Sequence, residues 1–312
     1  MEGSLGSDGN SSPSSTDEKQ TSSNVPREAG KFGDRNSLHK LIPRLSGIAD
    51  AYRKLNEARL EAELAIAEDE EEQDIPKIMS PAGHPLRLVT LSTMEKVFRA
   101  AFPLFANFLL ESFPEFTEVD EENKINALRR IFVFVFQFEI LIYSAQSELD
   151  LKGKLQRQVT QTLYCDHSQA ERVFTGSNPP LPVSQDIIRM MRERAMSCHA
   201  EQGIRLLIDH PIDAIERVAI ISLYVVDYQM EQLEVDHFDR ALRERSLIMK
   251  ELHVYYRTVL HISDYSMRLG KLIDVLNRIK AEAHQMRMDM EMYSLNSSVI
   301  DLDSVTFNLL KF

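Results

Sequence analysis

The stretch IDAIERVAIISLYVVDY, residues 212–228, decides the fold of this 312-residue chain. Its centre, residues 218–226, is apolar on nearly every side apart from Ser222. Periodicity alone cannot distinguish a buried helix from a buried strand in so short a run. Asp213 and Glu216 near its start suit the positive end of a helix dipole. The pattern therefore predicts a helix that is covered on both sides by other elements.

The chain that follows Pro211 contains no further proline and a single glycine, Gly270. Since it is also rich in Leu, Ile, Met, Glu and Arg, it is predicted to be largely helical. Two apolar stripes at helical spacing indicate two long amphipathic helices. The first stripe comprises Phe238, Ala241, Leu242, Ile248, Met249, Leu252, Tyr255 and Val259, and the second comprises Leu269, Leu272, Ile273, Leu276, Ile279, Ala283, Met286 and Met290.

The first half of the chain has helix signals of the same kind. Ser92 and Glu95 have the spacing of a capping box, so Ser92 is the expected N-cap of a helix rich in phenylalanine. Pro103 lies inside that helix and is expected to kink or split it. Asp120 can cap the helix that follows. Residues 160–182, with one glycine and three prolines, predict a loop or a small hairpin.

Two segments are predicted to lack regular structure. Residues 1–37 are rich in Ser and Gly and contain almost no large apolar side chain, which is typical of a disordered arm. Residues 61–74 contain eight acidic and no basic side chains. We therefore expect the preceding helix, which starts around Leu45, to give way to an acidic loop at about residues 61–76.

Composition excludes several classes of protein. The net charge of −12 does not suit a nucleic-acid binder. No apolar run approaches the ~20 residues of a membrane span, and no signal peptide follows Met1, so the sequence predicts a soluble intracellular protein without membrane contact. Cys165 and Cys198 are the only cysteines, too few for a disulfide framework or a four-thiolate zinc site.

The motifs of enzymes and cofactor sites are missing from the sequence. It contains neither a Gly-rich phosphate loop that follows a strand nor a His-Glu-x-x-His motif. The groups Cys165-Asp166-His167 and Cys198-His199 lack the spacing of four zinc ligands. We therefore expect no metal, no cofactor and no catalytic residue. The cluster of Arg189, Arg192 and Arg194 is interleaved with acidic residues and indicates a solvated helix face rather than a nucleic-acid site.

Three segments carry a resemblance to a known family. Residues 113–128, FPEFTEVDEENKINAL, resemble the signature of the nuclear hormone receptor ligand-binding domain, in the divergent form that nematodes carry in large numbers. Residues 210–219 and 251–272 are similar to later segments of the same group. The resemblance implies an all-α, three-layer antiparallel helical sandwich over residues 38–312, with little or no β structure. It also implies that Phe116, Val119 and Leu128 pin two crossing helices together.

The sequence departs from the family at the coactivator clamp. Glu111 stands where the family has a lysine, and the C-terminal residues 305–312 lack the glutamate of the activation helix. Coactivator binding of the usual kind is therefore not expected. The DNA-reading module of the family needs eight cysteines, so this chain is not expected to bind DNA by itself.

The pocket positions implied by the resemblance are apolar. Phe102 and Tyr143 stand where lipid-binding members often have a glutamate and an arginine. Phe98, Phe136 and Ile140 complete the expected lining. The resemblance leaves two hypotheses open, either a pocket for a wholly apolar lipid or a core that its own aromatic side chains fill.

The sequence predicts a receptor-like regulator of transcription that is located in the nucleus or in the cytoplasm. It would act through an apolar lipid pocket and through contacts with other nuclear receptors or coregulators. The helix at 264–290, in which Arg268, Lys271 and Arg278 interleave the apolar stripe, is the expected contact surface. The alternative is a ligand-independent helical scaffold that sequesters partners.

Overall fold

The computed structural model describes residues 35–68, 78–147, 156–175, 185–195, 198–232 and 235–295. Most of these residues are helical. The helices are α1 (Arg35–Leu41), α2 (Pro43–Glu68), α3 (Leu91–Ser112), α4 (Glu121–Gln146), α5 (Arg172–Thr175), α6 (Gln185–Ala195), α7 (Cys198–Asp209), α8 (Ala214–Gln232), α9 (Val235–Val254) and α10 (Ser266–Leu295). Short 3-10 turns cover Pro114–Glu118 and His167–Gln169, and a π turn covers Tyr255–Val259.

The helices form three layers. Helix α2 packs against α3 on one side of the molecule, and α7 packs against α10 on the other. Helices α4, α8 and α9 lie between them, because α8 contacts α2 and α9 as well as α10, and α4 contacts α3 as well as α7 and α10. The predicted three-layer helical sandwich is confirmed. No helix of the described ranges is both long and apolar enough to cross a membrane.

The stretch at 212–228 is the buried helix that the sequence predicts. Ala219, Ile220, Ile221, Leu223, Val225 and Val226 of α8 are each fully buried. Ser222 is fully buried too, and its hydroxyl donates to the carbonyl of Val218 one turn earlier at 2.7 Å. That bond satisfies the Ser222 hydroxyl, so the burial of this side chain leaves no unpaired donor.

The start of α3 differs from the prediction. Its N-cap is Thr90 and not Ser92, because the Thr90 hydroxyl accepts a hydrogen bond from the backbone N–H of Thr93 at 3.1 Å. Pro103 lies within the helix without dividing it. Buried Phe98 and Phe105 anchor the helix in the same core on both sides of that proline. The Asp120 cap of α4 is confirmed by its bond to the Asn123 N–H.

Two predicted boundaries of irregular structure are wrong. Helix α2 continues through residue 61 to Glu68, because Glu63 is buried and accepts hydrogen bonds from the hydroxyls of Thr160 and Thr162 at 2.7 and 2.8 Å. The rest of the expected acidic loop, residues 69–76, lies outside the described residues. Helix α1 begins at Arg35, inside the expected arm, and residues 1–34 also lie outside the described residues.

The strands form one small sheet. They are β1 (Ile78–Met79), β2 (Pro85–Leu88), β3 (Gln156–Gln158) and β4 (Leu163–Asp166), in the order β1-β2-β4-β3. The β3–β4 pair is an antiparallel hairpin, and β2 pairs with β4 in parallel. A hairpin, one of the two alternatives predicted for residues 160–182, is therefore present, but its first strand lies entirely before residue 160.

The stripe predicted for α9 is only partly buried. Ala241, Ile248 and Leu252 are at most 4% exposed, whereas Phe238 is 41% and Leu242 is 44% exposed. Leu242 lies about 100° around the helix axis from Ala241, and Phe238 lies about 60° from it on the same flank. The buried face is thus narrower than the apolar stripe, and one flank meets solvent.

A buried ion pair connects the first layer to the middle layer. Arg59 of α2 donates from both terminal nitrogens to the two carboxylate oxygens of Glu139 on α4, each at 2.8 Å. The two side chains are 5% and 3% exposed. The Tyr52 hydroxyl also donates to Glu139. The geometry is a bidentate guanidinium–carboxylate pair, which fixes the orientation of α2 on α4.

Substitution of Arg59 tests this contact. We expect Arg59→Met to lower the free energy of unfolding by about 3–5 kcal/mol, because it leaves the Glu139 charge buried without a partner. Arg53→Met is the matched control on the same helix, because Arg53 pairs with Glu57 at the surface. We expect it to change stability by less than about 1 kcal/mol in urea denaturation. Equal losses in the two variants would contradict this role of Arg59.

Candidate functional site

Three of the five predicted pocket residues, Phe98, Phe102 and Phe136, meet in an aromatic cluster between α3 and α4. The ring of Phe98 contacts those of Phe132 and Phe136 edge to face, at centroid distances of 5.4 and 4.9 Å. The Phe132 ring also contacts Phe102 at 5.6 Å and Phe105 at 5.3 Å, both nearly perpendicular. These distances and angles are those that aromatic rings prefer in packed cores. The five rings therefore occupy much of the space between the two helices.

Ile140 and Tyr143 stand apart from the ring contacts. Both lie further along α4, and both are half-buried, as is Phe102, whereas Phe98 and Phe136 are buried. Desolvation raises the pKa of the Tyr143 hydroxyl, and the negative charge of Glu139 raises it further. The structure thus places Tyr143 beside the buried ion pair, and the predicted lining is more polar at this end.

The sequence analysis missed this polar group. Arg59 and Glu63 continue the buried face of α2 that begins with Leu45, Ile48, Tyr52 and Leu55. Their spacing was the available signal, because they follow the apolar residues at helical intervals. The sequence prediction instead places Glu63 in the acidic loop and does not single out Arg59. Desolvation raises the pKa of Glu63, although the charge of Arg59 and the bonds from Thr160 and Thr162 oppose that change.

Two cavities are lined by described residues, and neither includes a predicted pocket residue. One lies between α4, α8 and α10, has a volume of about 190 Å³ and is lined by charged and tyrosine side chains, including Arg130, Tyr224 and Arg287. The other lies between α1, α2 and α8 and has a volume of about 580 Å³. A small-molecule site typically has a volume of ~300–1,000 Å³, so only the second is large enough for a ligand of ordinary size.

Glu111 is the residue that the resemblance assigns to one end of the coactivator clamp, and this assignment stays a prediction. Glu111 lies in the last turn of α3 and is exposed. A carboxylate there repels the negative C-terminal end of a partner helix, which the lysine of the family would attract. The other clamp position, in residues 305–312, lies outside the described residues. Nearby, Phe116 is fully buried and Leu128 is 6% exposed, while Val119 is half-buried.

The charged residues expected on the contact surface of α10 face the body of the protein instead. Arg268 donates to both carboxylate oxygens of Glu216 on α8, at 2.6 and 2.7 Å. Lys271 contacts His210, and Arg278 donates to Gln202 of α7 at 3.0 Å. These three cations therefore have partners within the same chain, and the contact of α10 with a partner protein stays a prediction.

The arginine cluster on α6 also differs from the prediction of a solvated face. Arg194 forms ion pairs with Glu282 and Asp289 of α10, at 2.7 and 3.0 Å. Arg192 donates to the carbonyls of His167 and Ser168. Only Arg189 keeps its expected environment, with partners on its own helix at the surface.

Burial makes the Cys165 and His167 side chains unreactive. Burial raises the pKa of the Cys165 thiol to about 12, so the nucleophilic thiolate is disfavoured. Burial lowers the pKa of His167 to about 4, and its Nδ1 atom lies 3.9 Å from the Cys165 sulfur. No group of three potential metal ligands occurs among the residues that the structure describes.

A three-layer helical sandwich with an aromatic interior is the architecture of a ligand-binding domain of the receptor type. The family model for the ligand-binding domain of nuclear hormone receptor matches residues 80–296. The chain belongs to this family, whose members are transcription-regulating receptors.

Relatives from a nematode show the same affiliation. The chain is 23% identical to nuclear hormone receptor family member nhr-53 of Caenorhabditis elegans over 299 residues, which are 91% of this chain and 75% of that protein. It is 23% identical to member nhr-199, over 62% of this chain and 46% of the relative. It is 22% identical to member nhr-43, over 82% and 56%. The chain thus spans about half the length of the last two relatives.

The buried carboxyl of Glu63 predicts a pH effect on stability. Because the pKa of Glu63 is raised in the folded chain, its protonated carboxyl stabilises the fold fully below the ordinary glutamate pKa of about 4.3. That stabilisation is lost as pH rises through the folded pKa. We expect the unfolding free energy of the wild type, relative to Glu63→Gln, to fall between pH 4 and pH 7 in urea titrations.

The matched control for this pH effect is Glu57→Gln. Glu57 lies on the same helix, but its side chain is 58% exposed. Its difference from the wild type should vary much less over the same pH range. A Glu63→Gln difference that increases with pH would contradict the raised pKa.

Proposed function

We propose that this chain regulates transcription in the nucleus as a receptor-type domain that acts through protein contacts and not through catalysis. Membership of the nuclear hormone receptor family supports this role. The chain carries only two cysteines, so we propose that DNA is contacted by a partner and not by these 312 residues. A coregulator would bind without the usual clamp, because Glu111 opposes the end of a helix that a lysine would attract.

The aromatic cluster supports ligand-independent action. Phe98, Phe102 and Phe136 stand at pocket positions, and their rings contact Phe132 at distances of 5.4 to 6.3 Å. Side chains that pack against each other in this way fill the space that a ligand needs. The domain would then keep its conformation without a ligand, and its regulation would depend on the concentration of its partners.

An apolar lipid ligand is the second candidate. Phe102, Ile140 and Tyr143 retain partial exposure although they lie on the two helices of the predicted pocket. A small rotation of the Phe102 ring would widen the space at that edge. The ligand would be predominantly apolar, because Phe102 and Tyr143 replace the acidic and basic anchors of lipid-binding members.

An engineered cavity distinguishes the two candidates. We expect Phe132→Ala to open internal space, to lower stability by about 3–5 kcal/mol and to bind benzene, which would raise its melting temperature. The wild type should show no benzene shift of that size, and it should carry no lipid without an acidic head group in native mass spectra. Phe238→Ala removes the same atoms from an exposed site and should show neither change. A stoichiometric apolar lipid on the wild type would instead support the second candidate.

We propose that partners bind the outward side of α10. Met267, Asp274, Ala281 and Met288 are exposed there and recur every seven residues, so they lie on one side of the helix. Met267 is 72% and Met288 is 43% exposed, which is high for large apolar side chains. A second helix of a related receptor could pack along this line, since helices pair through such a repeat.

A substitution at the middle of this line tests the partner surface. We expect Ala281→Arg to weaken association with co-purifying nuclear receptors, or self-association, at least tenfold in sedimentation and pull-down measurements. The added side chain would stand between the helices. Ala82→Arg, at the exposed turn between β1 and β2, introduces the same side chain elsewhere and should have no effect. Unchanged association of Ala281→Arg would exclude this face of α10.

A further inference from the structure

The cavity between α1, α2 and α8 has the size and chemistry of a binding site. Its volume is about 580 Å³, which lies inside the ~300–1,000 Å³ range of small-molecule pockets. Leu38, Leu60, Ile215 and Val218 contribute apolar side chains to its lining. Such a lining suits the hydrocarbon part of a ligand.

Most charges at the rim of this cavity neutralise one another. His39 contacts Asp50 at 2.9 Å, and Arg53 donates to Glu57 at 2.6 Å. All four residues line the cavity. Arg53 and Glu57 cancel each other, and Asp50 is balanced only when His39 is protonated.

Arg217 is the exception. It lines the same cavity from α8, and its guanidinium has no carboxylate or other hydrogen-bond partner among the described residues. Its Nε atom is buried, so water does not solvate that N–H freely. A buried donor on a cation without a partner is costly, and an anion in the cavity would remove that cost.

Asn56 adds a second unsatisfied polar atom to the same lining. Its side-chain Oδ1 atom is buried without a hydrogen-bond partner among the described residues. A side-chain amide can turn over, so that its NH2 group takes the place of the oxygen. Asn56 can therefore offer either an acceptor or a donor to a polar group in the cavity.

We propose that this cavity binds a straight-chain monocarboxylate, with the carboxylate on the Arg217 guanidinium and the hydrocarbon chain along Leu38, Leu60 and Ile215. One negative charge matches the one unpaired cation. Arginine pairs with a carboxylate through two parallel N–H···O bonds, which gives the head group a fixed orientation. The site is separate from the aromatic cluster between α3 and α4, and it does not depend on how that cluster is occupied.

The test compares acids with alcohols of equal length. The full chain is refolded from denaturant to remove bound molecules, and saturated monocarboxylates of eight to sixteen carbons are titrated by calorimetry beside the corresponding primary alcohols. We expect at least one acid to bind at one site, about tenfold or more tightly than its alcohol, because only the carboxylate pairs with Arg217.

Two variants locate the head group. Arg217→Met keeps the apolar stem and should bind the acid about tenfold or more weakly, with alcohol binding unchanged. Arg99→Met makes the same replacement on the surface of α3, outside the cavity, where the arginine pairs with Glu95, and should retain the preference for the acid. Ala49→Phe places a ring inside the cavity and should weaken binding of both compounds.

Several results would overturn the proposal. They are the absence of binding by any acid in the series, equal affinity for acid and alcohol, and an unchanged preference in Arg217→Met. Binding that Ala49→Phe leaves intact but Phe132→Ala alters would place the ligand between α3 and α4. That result would also exclude this cavity, and it would leave the regulatory role of the domain unaffected.

Discussion

The structure depends on the burial of α8 between two layers. A helix that is apolar on all sides is unstable in water, and it becomes stable only when α2 covers one side and α10 the other. Polar residues lie near both of its ends, and at its start Glu216 holds Arg268 of α10. The same end of α8 supplies Arg217 to the cavity beside α2. The middle layer thus sets the positions of both the core and the two surfaces to which we assign binding roles.

The aromatic cluster shows how a fold can be kept while its interior changes. The family fold requires α3 and α4 to cross beside the turn at Pro114–Glu118, and buried Phe116 provides that contact. The fold does not require particular side chains in the space between these two helices. In this chain that space is occupied by Phe132 and Phe136, whose rings contact the ring of Phe98 edge to face. In this chain the architecture therefore encloses aromatic side chains between α3 and α4.

The sequence predicts where helices and strands lie better than it predicts which groups they contact. Helix α8, the Asp120 cap and the hairpin near residue 160 all follow from local patterns, because apolar periodicity and capping residues act over a few positions. The end of α2 is harder to predict, because the helical spacing of Arg59 and Glu63 is the local signal and the partners of Glu63, Thr160 and Thr162, lie almost a hundred residues away. The inward direction of Arg268 and Arg194 was missed for the same reason. Charge in a sequence does not reveal which partner lies across a helix interface.

The Arg59–Glu139 pair has a consequence for how this domain can diverge. Neither residue can be replaced alone without leaving a desolvated charge, but both can be replaced together by apolar side chains of similar volume at little loss. The two positions should therefore drift as a unit among descendants of this chain, although they are 80 residues apart. Tyr52, which donates to the same Glu139 carboxylate, should change together with this pair.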